Sequence, residues 1–393
     1  MKSLIVGASK EIEYGCKLLK QEEIKSLAID GNKKADGFNF SEDHLVADIS
    51  NEDKCIQIAK ESTIDFILPA PIGRFITTWG AINDELNLKG ISKEMARICT
   101  DKWEFHQKLT QNNLRNAQAI LIDNSKMKIP KLTPPMILKP RFGSGSKNVI
   151  LIKNEDQLQH QIKDFNFQTD NFILETAISG CEFGVDALII ENEFKMVLIR
   201  EKINTSPPSR QAIGYFSQYD PNQFRDLHNR VERKIKTVVK CLGLNNCLMH
   251  VDVMVNAEDE FIIELSPRPS GHNLHNNFTI KATGYDMLKE YIRFQKNKEY
   301  SLTISNPKNM ALLYFDYENV KFLNVPTDDE LMSLDNIVEA RVNIKNGDIR
   351  KKINQGSDII DDGFVIIEGT NREEILAKYE EIKKKFKVEV LSK

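Results

Sequence analysis

The sequence predicts an α/β domain, then a larger α+β domain, then a small α+β lobe. Three observations carry this. Strand and helix patterns alternate over residues 1–90, helices from Ser92 give way at Met136 to mostly strands and hairpins broken by one long helix to about residue 275, and the last hundred residues hold short strands closed by a helix. A length of 393 residues fits several domains at roughly 100–200 residues each. With 41% hydrophobic and 28% charged residues the chain can bury real cores, which excludes a disordered, collagenous or low-complexity protein. The formal charge is −3, from 54 Lys and Arg against 57 Asp and Glu, and argues against a nucleic-acid binder. No run approaches the ~18 apolar residues of a membrane span. Met1–Ala8 is too short and too weakly charged for a signal-peptide core. The six cysteines, without C-x-x-C spacing, read as reduced thiols, so the expected setting is cytoplasmic.

Each element has a local reason. Ser3–Ala8 is a short β run, and Ile12, Cys16 and Leu19 keep helical spacing within Glu11–Lys20. Ile24–Ile29 is a strand ending at the turn pair Asp30-Gly31. Asn51 and Glu52 open a helix with Ile56, Ile58 and Ala59 inward, and Ile64–Leu68 is a strand stopped by Pro69 and Pro71. Strands alternating with helices imply a parallel, doubly wound sheet. Gly7 stands alone, without G-x-G-x-x-G, so a Rossmann dehydrogenase is unsupported. Ser92 is an N-cap, Lys102–Leu109 an amphipathic helix, and Pro130, Pro134 and Pro135 punctuate a loop before the strand Met136–Lys139. Phe224–Leu242 is the long helix. Strands at Met310–Phe315, Val338–Ile344 and Gly363–Glu368, with a helix from Glu373 to about Lys385, read as a separate small unit.

Three clusters carry chemistry. In the first, Lys139 shares a strand face with Ile137 and is followed by Gly143-Ser144-Gly145-Ser146. Such a loop lets backbone N–H groups approach phosphate oxygens while an ammonium adds charge. The Lys precedes the glycines, so this is not a P-loop, and a plain Gly-Ser turn is the competing reading. In the second, a strand ends at Glu175, turns through Ser179-Gly180 and resumes with Glu182, Gly184 and Asp186 on one face, with a solvated sheet face as the alternative. In the third, His250–Val255 and Phe261–Ser266 form a hairpin. If Val255 pairs with Phe261, Asp252 lies opposite Glu264, roughly 5 Å apart at Cβ. Two like charges so placed need compensation. Mg²⁺ held by two carboxylates and substrate phosphates supplies it, whereas Arg268 neutralising both acids is the structural alternative. Glu264, Ser266 and Arg268 alternate along the extended chain and point the same way. Phosphoryl transfer needs this set of groups.

In this order the clusters resemble the ATP-grasp superfamily of carboxylate–amine ligases, over roughly residues 1–300. The resemblance implies a pre-ATP-grasp domain over 1–90, an ATP-grasp domain of two clamping subdomains over 91–300 and a small C-terminal domain over 301–393. It implies ATP and Mg²⁺, with Mn²⁺ as a substitute, and an acyl phosphate that an amine then displaces. Lys102 and Lys139 become the phosphate-contacting lysines, and Gly143, Ser144, Gly145 and Ser146 the loop over the phosphates. Glu175, Thr176, Ala177 and Ile178 become the adenine hinge, and Glu182 the ribose ligand. Asp252, Glu264 and Ser266 hold metal, and Arg268, with Lys139, acts on the acyl phosphate. The chain departs from the family's Glu-x-Asn at Glu264-Leu265-Ser266. Ser-Pro-Arg-Pro is similar to the formate-using purine-biosynthesis branch. Gly363–Ile367 resembles the C-terminal lobe of amino-acid ligases and biotin-carboxylase-like members.

Arg200, Lys202 and Arg210 read as a basic loop that binds a substrate carboxylate, with a solvated surface loop as the alternative. His272 is a candidate substrate contact and His275 ordinary structure, since no third His or Cys completes a zinc spacing. Cys241 and Cys247 read as structural thiols, and Lys384-Lys385 as a solvated helix end. The expected function is an ATP-dependent ligase joining a small carboxylate to an amine and releasing ADP and phosphate, with an amino-acid ligase and a purine-pathway relative both open. Its partners are those small molecules, not nucleic acid or membrane, and a homodimer is left open. The rival classes are a nucleotide-binding regulatory protein and a biotin-carboxylase-like component.

Overall fold

The computed structural model describes residues 1–115, 117–123, 135–143, 148–163, 171–205, 211–217, 224–304, 307–353 and 357–391. Residues 1–90 build a parallel sheet. β1 (Lys2–Val6), β2 (Lys25–Asp30), β3 (Asp43–Val46) and β4 (Phe66–Ile67) take the order β3-β2-β1-β4. Asn51 caps the helix Glu52–Glu61 by accepting from the Lys54 N–H, as the sequence expects. Two elements lacked a sequence signal. All four residues of β3 are exposed, so no buried alternation marks it. The helix Ile76–Leu86 buries most of its circumference and carries no polar stripe at helical period.

A second, antiparallel sheet joins β5 (Ala119–Ile122), β6 (Met136–Pro140), β7 (Ile150–Ile152) and β8 (Phe172–Thr176) in the order β5-β8-β6-β7. It has a core to itself, built from Ile122, Leu138, Ile152, Leu158, Ile162 and Leu174. This sheet is a small lobe.

The largest sheet has eight antiparallel strands. They are β9 (Cys181–Ile190), β10 (Glu193–Asn204), β11 (Ala212–Ser217), β12 (Cys247–Val255), β13 (Glu260–Ser266), β14 (Met310–Tyr314), β16 (Ile337–Val342) and β18 (Gly363–Glu368). Their order is β13-β12-β9-β10-β11-β14-β18-β16. β15 (Val320–Asn324), β17 (Ile349–Arg350) and β19 (Lys387–Val390) form a minor sheet beside it. The 301–393 segment is therefore not a unit set apart. It packs a core of its own around Phe315, Phe322, Leu331 and Phe386, but its β14 pairs with β11 and continues the main sheet. At the other end, one apolar core runs from Leu4 and Ile29 of the parallel sheet to Val185, Leu248 and Ile292 of the main body. Among the described residues no helix is long and apolar enough to cross a membrane.

The β12–β13 hairpin corrects one expectation. Val255 pairs with Glu260, not Phe261, so the ladder starts one residue out of the expected register. A bulge restores it: Val253 faces Ile262 while Asp252 faces Glu264, leaving Ile263 as the extra residue. Without the bulge Glu264 would oppose Val251 and point to the other face, because a one-residue slip inverts every side chain.

After β13 the chain enters a turn of wide helix, Leu274–Phe278. His275 is buried there and its Nδ1–H donates to Ser270 O. Burial pushes its pKa down to about 4. With a folded value below the unfolded one, its contribution to stability is whole above about pH 6.5 and is lost as pH falls toward 4. His275→Gln should flatten the pH dependence of urea-unfolding stability in that window by up to ~1.4 kcal/mol per pH unit. Equal slopes for the two proteins would show that His275 already carries its proton in the fold.

Candidate functional site

The lobe contributes a buried charged group. Ile137 pairs with Glu175, so Lys139, two residues along β6 on the same face, sits diagonal to Glu175. Their side chains meet, with Lys139 Nζ 2.6 Å from Glu175 Oε1. Arg115, which no sequence pattern marked, donates to Glu175 Oε2 at 2.7 Å. Lys139, Glu175 and Arg115 are all buried. Burial opposes ionisation of Glu175, but Lys139 and Arg115 together outweigh it and hold the carboxyl below the usual range. His106 lies beside them, pushed by burial down to about 4 and hence neutral. Two cations and one carboxylate leave a positive charge over, which an anion would satisfy.

Lys102 opens the helix Lys102–Gln111, and its Nζ reaches Gly143 O in the loop after β6. Asp101 caps the same helix and receives Arg141 through Nε and NH2 at 2.9 and 2.6 Å. The start of the loop is thereby tied to a helix N-terminus. Ser144, Gly145 and Ser146 lie outside the described residues. The Glu175–Ile178 hinge is placed at the exit of β8, but the carboxylate of Glu175 faces Lys139 and Arg115. Gly180 follows with φ +149, where a Cβ would fall 2.4 Å from Val255 O, so only glycine fits the turn into β9.

The main sheet supplies the other side. Gly184 pairs with Asp252 across β9–β12 and with Arg200 across β9–β10, while Asp252 pairs with Glu264. Glu182, Asp186, Arg200, Lys202, His250, Asp252, Glu264 and Ser266 alternate onto this face. Gly184 leaves the row without a side chain, and a Cβ there would meet Arg200 Nε and His250 Cε1 at 3.4 Å. Lys202 Nζ lies 2.8 Å from Asp252 Oδ1 and 2.9 Å from Glu182 Oε1, and His250 Nε2 lies 3.2 Å from the same Asp252 oxygen. Burial would raise the pKa of Asp252, yet Lys202 and His250 hold it far below the usual range. Ser266 Oγ is 3.4 Å from Glu264 Oε1. The Arg268 guanidinium donates to Pro269 O at 2.8 Å, and Glu264 and Glu11 are the carboxylates that act on it most strongly. Glu11, in the 3₁₀ turn Lys10–Ile12 that follows β1, accepts the His272 N–H. It went unmarked because a lone Glu at the start of a helical stretch carries no pattern.

The donor set suits a hard cation. Asp252 and Glu264 are opposed on one face, and Asp252 Oδ1 is held by Lys202 and His250. Among the described residues no group of three or more His, Cys, Asp and Glu is arranged around a metal position. Two carboxylates and a hydroxyl are what Mg²⁺ takes when phosphates complete its shell.

The basic-loop expectation is corrected. Arg200 and Lys202 stand inside β10, not in a loop, and Arg210 lies outside the described residues. Arg200 is 0% exposed and 2.7 Å from Asp186, which also accepts from Thr279 Oγ1 at 2.6 Å. Its charge is committed to the fold. Arg200→Met should lower stability by about 3–5 kcal/mol in urea unfolding, because it strands Asp186 in the interior. A change below ~1 kcal/mol would mean the pair is dispensable and Arg200 available to a ligand.

A family model described as an ATP-grasp domain matches residues 99–272. The D-alanine–D-alanine ligase of Petrotoga mobilis is 22% identical over 178 residues, covering 43% of this chain and 57% of that protein. The chain spans about half the length, or less, of the first curated relatives it matches. The crystal structure of an L-amino acid ligase from Bacillus licheniformis superposes with a TM-score of 0.80 at 16% identity, covering 100% of this chain and 99% of that one. Phosphoribosylglycinamide synthetase from Anaerococcus prevotii gives 0.77 at 22% identity, with 99% of both chains covered. At those identities the superpositions establish a shared fold of mixed α/β content. The family match, residues 99–272, lies over Lys102, Lys139, the Glu175–Ile178 segment and the opposed carboxylates, so that stretch of the chain is similar to an ATP-grasp domain.

Proposed function

We propose that the chain is an ATP- and Mg²⁺-dependent ligase that joins a small carboxylate to an amine through an acyl phosphate, releasing ADP and phosphate. The observation that carries this reading is the pairing of Asp252 with Glu264 on one sheet face, together with the surplus positive charge at Lys139. Lys139 and Lys102 hold the phosphate chain, and the 143–146 loop covers it. The 175–178 hinge and Glu182 hold the nucleoside. Asp252 and Glu264, with Ser266 beside them, hold Mg²⁺, which when bound neutralises charge on the phosphoryl oxygens. The substrate carboxylate attacks the γ-phosphorus, the bond to the β-phosphate oxygen breaks, and ADP leaves. The neutral amine then attacks the acyl carbon and phosphate departs. Arg268 stabilises the charge on the transferred group in both steps. Names such as D-alanine–D-alanine ligase and L-amino acid ligase among the similar proteins support amino acids as the first substrates to try.

The test is release of ADP and phosphate from ATP on mixing with candidate acid–amine pairs. Lys139→Met should raise the KM for ATP about 10–100-fold, the worth of one hydrogen-bonded charge on phosphate. Asp252→Asn and Glu264→Gln should each lower kcat by about 100-fold or more while leaving binding of metal-free nucleotide in place. Intact ATP binding with no turnover for any pair would instead favour the regulatory reading.

A further inference from the structure

Two halves of the site belong to different sheets. Lys139 and Glu175 sit in the lobe, with its own core, and Asp252 and Glu264 in the main body. One side chain touches both. Arg115 is 4% exposed, donates through NH2 to Glu175 Oε2 at 2.7 Å, and donates through NH1 to Ile262 O at 2.9 Å. Each contact falls at a sensitive point. Glu175 is the carboxylate that holds Lys139. Ile262 is the residue next to the bulge, where the ladder steps from Val253–Ile262 to Asp252–Glu264. Among the described residues β13 is also the edge of the eight-stranded sheet, and the Ile262 carbonyl on it is engaged by this guanidinium.

We propose that Arg115 is the positioning residue that aligns the phosphate-binding lysine with the paired metal-binding carboxylates, through one guanidinium bonded to both sheets. Its planar fork fixes two directions at once. NH2 fixes the rotamer of Glu175, whose second oxygen sets the position of Lys139 Nζ. NH1 fixes the carbonyl at the bulge, and the bulge keeps Glu264 on the face of Asp252. A lysine at the same place has one ammonium and no fork, so it cannot reproduce both contacts. The proposal rests on the reading of Lys139 as a phosphate ligand and of Asp252 and Glu264 as metal ligands. It goes further in giving a residue that touches neither ligand an effect on both.

Equilibrium binding tests this without turnover. Titration calorimetry with a non-hydrolysable ATP analogue, at a series of Mg²⁺ concentrations, yields the analogue affinity without metal and the Mg²⁺ concentration that half-saturates its enhancement. Wild type, Arg115→Lys, Arg115→Met, Lys139→Met, Glu175→Gln and Glu264→Gln are compared, with folding checked by near-ultraviolet circular dichroism. In Arg115→Lys both quantities should worsen, each by about tenfold, the scale of one charged hydrogen bond. Lys139→Met and Glu175→Gln should shift the metal-free affinity alone, and Glu264→Gln the Mg²⁺ midpoint alone. A folded Arg115→Lys with both quantities at wild-type values overturns the proposal and leaves the ligase reading standing. So does a loss of stability with both quantities unchanged, which is the signature of a merely structural arginine. If Arg115→Met does not fold, Arg115→Lys and Glu175→Gln still decide the matter. Absence of analogue binding by the wild type sinks both readings together.

Discussion

Two acidic side chains set face to face across neighbouring strands are the constraint around which this molecule is arranged. Asp252 and Glu264 repel at that spacing, and a fold that keeps them must answer the repulsion with fixed positive charge. The answer is local. Lys202 and His250 lie against Asp252, Arg268 feels Glu264, and Gly184 keeps the row between Arg200 and Asp252 free of bulk. Asp186, one pleat further along β9, is matched by Arg200 and Thr279 in full burial. The sheet face is thus an ordered lattice of opposite charges. A polar arrangement of this density keeps a single geometry only when its members are satisfied together.

The second principle is division of the apolar interior. One core joins the parallel sheet to the main sheet, so the floor of the site is continuous with the parallel sheet's interior. The β5–β8 lobe has a core of its own, and polar contacts such as Arg141 to Asp101, Lys102 to Gly143 and Arg115 to Ile262 connect it to the rest.

Much of this was legible in the chain. The alternation of Leu4, Ile5 and Val6 with helical spacing after it gave the parallel sheet, and the acid-bearing hairpins announced themselves through period-two charge on apolar strands. What escaped did so for physical reasons. β3 has no buried face, and Arg115 and Glu11 act through tertiary contacts at separations of 147 and 261 residues. Arg200 was misread because charged residues leading into Ser206-Pro207-Pro208 look like a loop, whereas burial against Asp186 depends on a partner strand. The Asp252–Glu264 register was anticipated from the wrong starting pair, since a bulge cannot be counted from turn length. The detached C-terminal unit failed similarly, because periodicity shows that strands exist and not which sheet they join.

The lobe's private core has a thermodynamic corollary. With only a few apolar side chains holding it, the lobe forms a cooperative unit whose opening free energy lies below that of global unfolding. Its amides should exchange with solvent ahead of those in β9 and β12, whose strands are flanked on both sides. A ligand held between the lobe and the main sheet would then draw the lobe into the main cooperative unit, so that it acts as part of the protein's interior while it stays.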